Sequence, residues 1–382
     1  MNETRTAPQV RSIAWRIGRR VARSNGTLFL AGITALNWYR QRFRGAKKPW
    51  TAFYYTREMR ELLEGCSVVY MAFPYYTRPA LFGVPSVATF HDLHFRHFPG
   101  AYDPETRRLL DRQTSRWTRI IDECVVSSRF IEGDLLRHYP HTTGKTRVVY
   151  LAPYGIREIE TSVLEHVLES QDLARGRYFI YSGGTSRHKN IINVLRAVDL
   201  LKRAGHPVPL VITGSGTQAI GDFALELAEG NPVAEINDFL RQSSLVLGED
   251  VRVLGYVSNE EVDALTRGAA AIVHASLYEA GCGPAMDAWL NGVPVAFSNI
   301  PPYLEQLERL DVHAWLFDPL DPEDIARALG AILRSPEEAA RLARRSQAAI
   351  KSYTWDDTAV AYQAAFASAI ERFGSRVKTH RA

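Results

Sequence analysis

Apolar runs of about four residues recur through most of this chain, separated by stretches where apolar side chains return every three or four positions. A short, wholly apolar run is the mark of a strand covered on both faces, and the longer periodicity is that of an amphipathic helix. Their alternation predicts parallel sheets with helices packed on them. In the first half, runs at 67–71, 86–90, 123–126 and 147–150 read as strands, with helices over 104–121 and 128–138. A polar stretch of helical spacing, 157–175, reads as a linker. A second series follows, with strands at 178–181, 209–212, 251–254, 271–274, 294–297 and 314–317. Helices are expected between them at 191–204, 224–241, 259–268, 284–291 and 322–333. The reading is an α/β chain of two Rossmann-like, doubly wound domains. The first spans 1–156 and the second 177–350, joined by a linker over 157–176 and closed by a segment over 351–382. Two such units leave a cleft at the carboxyl ends of their strands, where open α/β sheets bind ligands. The first 60 residues contain no recognisable strand and glycine-rich turn.

Composition narrows the class. At 382 residues the chain exceeds one compact core, and 46% hydrophobic with 23% charged residues is globular composition. The longest early apolar run, 27–36, is about half of the roughly 20 residues a bilayer span requires. Tyr39-Arg40-Gln41-Arg42 follows it rather than a small-residue cleavage site, so a buried element is expected there, not a signal peptide. Three scattered cysteines, Cys66, Cys124 and Cys282, form neither a disulfide framework nor a zinc pattern and suit a reducing cytoplasmic setting. Charge is uneven. Residues 1–60 carry thirteen Lys and Arg against two acids, a net of +11, whereas the whole chain is +4. Such a segment suits an anionic membrane surface, where each basic residue contributes about 1 kcal/mol, or an anionic acceptor. No nucleic-acid recognition motif accompanies it.

The richest chemistry lies between His274 and Val295. A strand ends near Ser276, a loop containing Gly281, Cys282 and Gly283 follows, and Pro284 fits the first turn of a helix. Glycines let a ligand approach the backbone, and the free N–H groups of a helix start favour a phosphate. Glu279 and Asp287 flank this loop eight residues apart, and carboxylates accept hydrogen bonds from paired sugar hydroxyls. Earlier, Gly183-Gly184 after a strand leads into Arg187, His188 and Lys189 at a helix start, a positive field suited to a diphosphate. Gly214 ends the next strand and could line the same cleft. The spacing is not that of a Walker loop, and no Asp-x-Asp occurs, so no metal bridge to a diphosphate is expected.

On these residues the chain resembles glycosyltransferase family 4. Over 178–355 it matches that family's second domain: Gly183, Gly184, Lys189 and Asn190, then Glu279 and Asp287, then Gly292, Pro294 and Val295. Gly255-Tyr256 resembles the segment beside the donor's base, and the closing segment resembles a helix that crosses back to the first domain. His91-Asp92 and Ser127-Ser128-Arg129-Phe130 resemble the first domain's cleft segments. Asp287 stands where the family has a second Glu, and Gly184 where it often has Arg. The resemblance implies the GT-B fold and retaining transfer from a nucleoside diphosphate sugar. The acceptor would be a glycan or lipid-linked molecule, as in the glycosyl- and mannosyltransferases of bacterial surface polysaccharide assembly. Glu279, Lys189 and His91 would be catalytic. Gly183, Gly184, Arg187, Gly214, Gly255, Tyr256, Gly281, Cys282, Gly283 and Asp287 would hold the donor. No cofactor beyond that donor is expected, and the enzyme would work in the cytoplasm, on the inner face of the plasma membrane. The alternatives are a non-catalytic GT-B partner subunit and a GT-B nucleotide-sugar epimerase.

Overall fold

The computed structural model describes residues 61–379 apart from 62, 64, 78, 80, 154–158 and 229. The basic segment 1–60, with the membrane contact expected of it, and the start of the expected linker lie outside the described residues.

Two parallel sheets form. The first has β1 (Val69–Met71), β2 (Ser86–Phe90), β3 (Glu123–Val126) and β4 (Thr146–Val148) in sequential order. Helix α1 (Pro104–Ile120) joins β2 to β3, and α2 (Arg129–His138) joins β3 to β4. Asp103 caps α1 by accepting from the Thr106 amide, and Pro104 occupies the first turn, where no N–H is missed.

Helix α3 (Thr161–Ser170) leads into the second sheet. There β5 (Phe179–Ser182), α4 (Ile191–Arg203), β6 (Leu210–Thr213), α5 (Pro232–Gln242), β7 (Val251–Gly255) and α6 (Asn259–Gly268) build outward to one side. The chain then returns through β8 (Ala271–His274), α7 (Gly283–Leu290), β9 (Val295–Ser298), α8 (Pro301–Leu310) and β10 (Trp315–Phe317). The strand order is β10-β9-β8-β5-β6-β7, so winding reverses between β5 and β8. Such a reversal opens a crevice at the strand carboxyl ends. Helices α9 (Pro322–Arg334), α10 (Pro336–Ile350) and α11 (Trp355–Thr379) complete the chain.

The apolar runs are explained by burial on both faces. Phe179, Tyr181, Leu210, Ile212 and Val273 enter one core layer, while Tyr178, Ile180, Val211 and Ile272 enter the other. This is the period-two sorting of a strand applied to a sheet covered twice. Fully burying one such side chain stabilises by roughly 1.5–3 kcal/mol.

The structure corrects several expected elements. The helix expected over 224–241 starts only at Pro232, because Gly230 has φ +76° and Asn231 caps the Val233 amide. The expected linker carries α3, whose Leu164 and Leu168 pack with Tyr178 and Leu265 in the second core. Helices α8 and α10 were not expected at all. The closing helix α11 packs Ala365 and Ala369 on Val87 and Val125 of the first sheet and on Val149 just past β4, and Arg372 pairs with Glu123 at 2.9 Å.

Candidate functional site

Three glycine turns end β5, β6 and β7 and pack on one another. Gly214 has φ +135°, and a Cβ there would lie 2.1 Å from the Gly183 carbonyl oxygen, so only glycine fits. The Gly183 amide donates to Thr213 O at 2.9 Å and the Gly214 amide to Gly255 O at 2.8 Å. These two amides therefore brace the turns against each other rather than facing a ligand. Gly184 lies beside Ser215, and Tyr256, just past Gly255, is 79% exposed.

A 3-10 turn, Arg187–Lys189, sits before α4. Asn190 follows in the left-handed region at φ +55°. Its Nδ2 donates to Ala275 O at 3.0 Å and Pro319 O at 2.7 Å, tying the turn to the ends of β8 and β10. The Leu277 amide donates to His188 O at 2.7 Å. The two loops singled out by sequence are thus bound edge to edge, and Lys189 Nζ donates to Glu279 Oε1. His188 Nε2 lies 4.0 Å from the same carboxylate oxygen. Burial, and then the His94 and Lys189 charges, push the His188 imidazole down to about 3.

A 3-10 turn rotates successive side chains by about a third of a circle. Arg187 is therefore directed away from Lys189: it pairs with Glu235 at 2.8 Å and donates to Gly230 O at 3.3 Å. Arg187, expected to contact the phosphate, is thus held by Glu235 on the outer side of the turn. Cys282, also expected to contact the donor, lies in the loop at the start of α7. Its side chain is buried in the core, where burial pushes the thiol up to about 12. Its amide donates to Gln306 Oε1 at 2.8 Å, and its carbonyl accepts from Gln306 Nε2 at 3.2 Å. Asp287 is half-buried, one turn into α7 and in register with Gly283.

Across the cleft, His91 follows β2. Burial lowers its pKa, and its ring lies 6.4 Å from that of Phe73. A cavity of about 240 Å³ joins the two halves and is lined by His91, Ser127, Gly281, Gly283, Glu305 and Arg309, among others. His91 thus faces the Gly281–Gly283 loop. The histidine that reaches toward the Lys189–Glu279 pair is His94, whose Nε2 is 2.7 Å from His188 Nδ1. In the sequence, His94 and His97 repeat at three-residue spacing, but no further ligand pattern there supports a metal, and that spacing gives His94 no role.

Helix α8 was missed as well, yet it supplies four of the lining residues, Pro302, Glu305, Gln306 and Arg309. Glu305 accepts from the Arg129 amide at 2.7 Å, the Phe130 amide at 3.1 Å and the Tyr150 hydroxyl at 2.8 Å, a carboxylate of one half at the start of α2 in the other. Arg309 lies between the rings of Tyr150 and Tyr353, at 4.4 and 4.5 Å.

Among the described residues, His97, Asp134 and His138 bring metal-type ligand atoms within 4.8 Å of one another. Arg96 Nη1, which can only donate, lies 3.4 Å from His138 Nδ1. It sets a permanent positive charge beside the cluster. In this arrangement both imidazole Nε2 atoms face the Asp134 carboxylate, His97 at 2.7 Å and His138 at 3.4 Å.

Comparisons with known proteins agree with this architecture. The family described as Glycosyltransferase Family 4 matches residues 20–152, and that described as Glycosyl transferases group 1 matches residues 169–349. O-antigen chain mannosyltransferase B of Escherichia coli is 25% identical over 279 residues, covering 71% of this chain and 67% of the relative. Sucrose-phosphate synthase from Thermosynechococcus elongatus superposes with a TM-score of 0.58 at 20% identity, covering 82% of this chain and 81% of its own. Anabaena Alr3699/HepE, solved in complex with UDP and glucose, gives a TM-score of 0.59 at 15% identity, covering 80% and 78%. These two likenesses speak for the fold. With both halves matched in sequence and the two parallel sheets in place, the chain belongs to glycosyltransferase family 4 and is a glycosyltransferase of the GT-B fold.

Proposed function

We propose that this glycosyltransferase moves a hexose, with retention at the anomeric carbon, from a nucleoside diphosphate sugar to a glycan or lipid-linked acceptor. One observation carries the reading: Lys189 and Glu279, ninety residues apart, meet at the carboxyl ends of β5 and β8, beside the glycine turns and the start of α7. An ammonium next to a backbone stripped of side chains suits a diphosphate, and a carboxylate beside it suits sugar hydroxyls.

In this reading Asp287 holds the ribose and Glu279 orders the sugar. Lys189 leaves Glu279 for the diphosphate and, with the start of α7, stabilises the charge that grows on it as the glycosidic bond breaks. His91 positions the sugar from the opposite wall, and closure of the two halves keeps water from the donor. The diphosphate charge is met by Lys189 and the backbone, so chelators leave the transfer rate unchanged. The relative that acts on the O-antigen chain supports a surface glycan acceptor, and a cytoplasmic, membrane-surface setting goes with it. No helix among the described residues is long and apolar enough to cross a membrane.

The test is a thermal-shift screen of the full chain with UDP-, GDP- and ADP-sugars. A ligand that binds only the native state raises the midpoint. One nucleotide class is expected to do so, and Lys189→Ala is expected to abolish most of the shift. A full shift in that variant, or none with any nucleotide sugar in the wild type, overturns the reading.

A further inference from the structure

The residue before Glu279 does not pack in its own domain. Tyr278 is 6% exposed and sits in the core of the first half, with Leu93, Phe95 and Leu135. Its ring stacks on His97 at 4.4 Å and meets Phe130 edge-on at 5.8 Å. Its hydroxyl accepts from the Leu93 amide at 2.9 Å and donates to Asp134 Oδ2 at 3.1 Å. Asp134, 4% exposed on α2, also accepts from His97 Nε2 at 2.7 Å and faces His138 Nε2 at 3.4 Å. A buried carboxylate with three donors around it has little freedom, and the phenol it holds is fixed in turn. On the other side of Tyr278, the Leu277 amide is tied to His188 in the second half. The loop is therefore pinned by one domain at Leu277 and by the other at Tyr278. One peptide, about 3.8 Å from Cα to Cα, separates Tyr278 from Glu279.

We propose that Tyr278 and Asp134 are positioning residues through which the first domain sets the Glu279 carboxylate, so that the sugar-ordering group is in register only while the two halves are docked. This deepens the proposed function and rests on its assignment of Glu279. It also gives the hydroxyl of Tyr278 a purpose that core filling does not, since a phenylalanine would occupy the same volume.

The experiment uses the full chain with its nucleotide-sugar donor, as found in the screen above. It compares wild type, Tyr278→Phe, Asp134→Asn, the double variant, and Tyr278→Phe in a Glu279→Gln background. Tyr278→Phe is expected to leave donor KM within a few-fold and lower kcat roughly tenfold, the scale of one well-placed hydrogen bond. Asp134→Asn is expected to lower kcat similarly, and the double variant to fall no further than either single variant. In the Glu279→Gln background, Tyr278→Phe is expected to cost nothing more. Wild-type kcat in Tyr278→Phe, with Glu279→Gln slow, overturns the inference and leaves the proposed function standing. An undiminished Tyr278→Phe effect in the Glu279→Gln background overturns it as well, because the tyrosine then acts independently of Glu279. Wild-type turnover in Glu279→Gln would instead sink the site assignment itself. Should Asp134→Asn fail to fold, the two Tyr278→Phe comparisons decide alone.

Discussion

The two sheets finish their strands differently. In the second, β5, β6 and β7 run into Gly183-Gly184, Gly214 and Gly255, and Gly214 and Gly255 hold positive φ. In the first, β2 runs into His91-Asp92 and β3 into Ser127-Ser128. One wall of the cleft brings backbone close and the other presents side chains. Bare backbone accommodates a bulky anion, whereas imidazoles and hydroxyls discriminate among hydroxylated rings. On the proposed function, the same fold used twice separates holding a phosphate from choosing and orienting sugars, and substitutions on the two walls should then fail differently.

The largest expected difference is in turnover. Lys189→Ala and Glu279→Ala should each lower kcat/KM by about 10²–10³-fold, the scale of losing one group that stabilises the transition state, with unchanged melting temperature. His91→Ala on the opposite wall should cost about tenfold, because it positions without meeting the developing charge. Steady-state assays of the three variants measure this. Comparable losses at His91 and Lys189 would break the division of labour.

Next comes stability at the glycine turns. Gly214→Ala would drive a methyl group into the Gly183 carbonyl at a φ that L side chains rarely adopt, and should destabilise by about 3 kcal/mol or more. Gly144, before β4 in the first half, also has positive φ (+78°), but a Cβ there meets nothing within 4 Å. Gly144→Ala should therefore cost only about 1 kcal/mol of backbone strain. Urea unfolding of both variants gives the ratio. Equal costs would mean that the packed turns of the second half yield.

Much of this contrast was legible in the sequence, and the reason is local. A strand buried on both faces needs an unbroken apolar run, and the positive φ at Gly214 and Gly255 favours glycine, so Phe179–Ser182 and these later turns declare themselves. Lys189 and Glu279 could be paired through the family resemblance, although their contact joins distant segments. Helix α8 was hidden because Pro301-Pro302 reads as a break, when it is in fact the first turn. Its buried positions Pro302, Tyr303, Gln306 and Leu310 are interleaved with charged residues. Tyr278 and Asp134 were invisible for another reason. Nothing near Tyr278 in sequence says that its ring crosses into the other half, 144 positions away.

The smallest expected difference concerns acid. His274 ends β8 wholly buried, and its Nε2 has no hydrogen-bond partner among the described residues. Burial, followed by the Lys189 charge, pushes it down to about 3. In the unfolded chain the same ring takes a proton near pH 6.5. The folded pKa is the lower one, so the unfolded state binds more protons below pH 6.5. The stability His274 contributes is complete above that pH and is lost as pH falls toward 3, at no more than about 1.4 kcal/mol per pH unit. Carboxylates such as Asp103 and Glu261, also held below their ordinary values, yield only near pH 4 and lower, so the interval from 6.5 to 5 belongs mainly to histidines. Replacing the ring with an apolar side chain removes the proton uptake. His274→Leu should lose about 2 kcal/mol less than wild type between pH 7 and pH 5, measured by urea unfolding at the two values. The equivalent change at His141 in the first half, which is pushed down as well but sits nearer solvent, should alter that loss by less. If His274→Leu and wild type lose stability in parallel, the folded imidazole takes up its proton over the same pH range as in the unfolded chain. In acid a second cation would then stand near Lys189, and the second wall would there owe its affinity for anions to more than bare backbone and one ammonium.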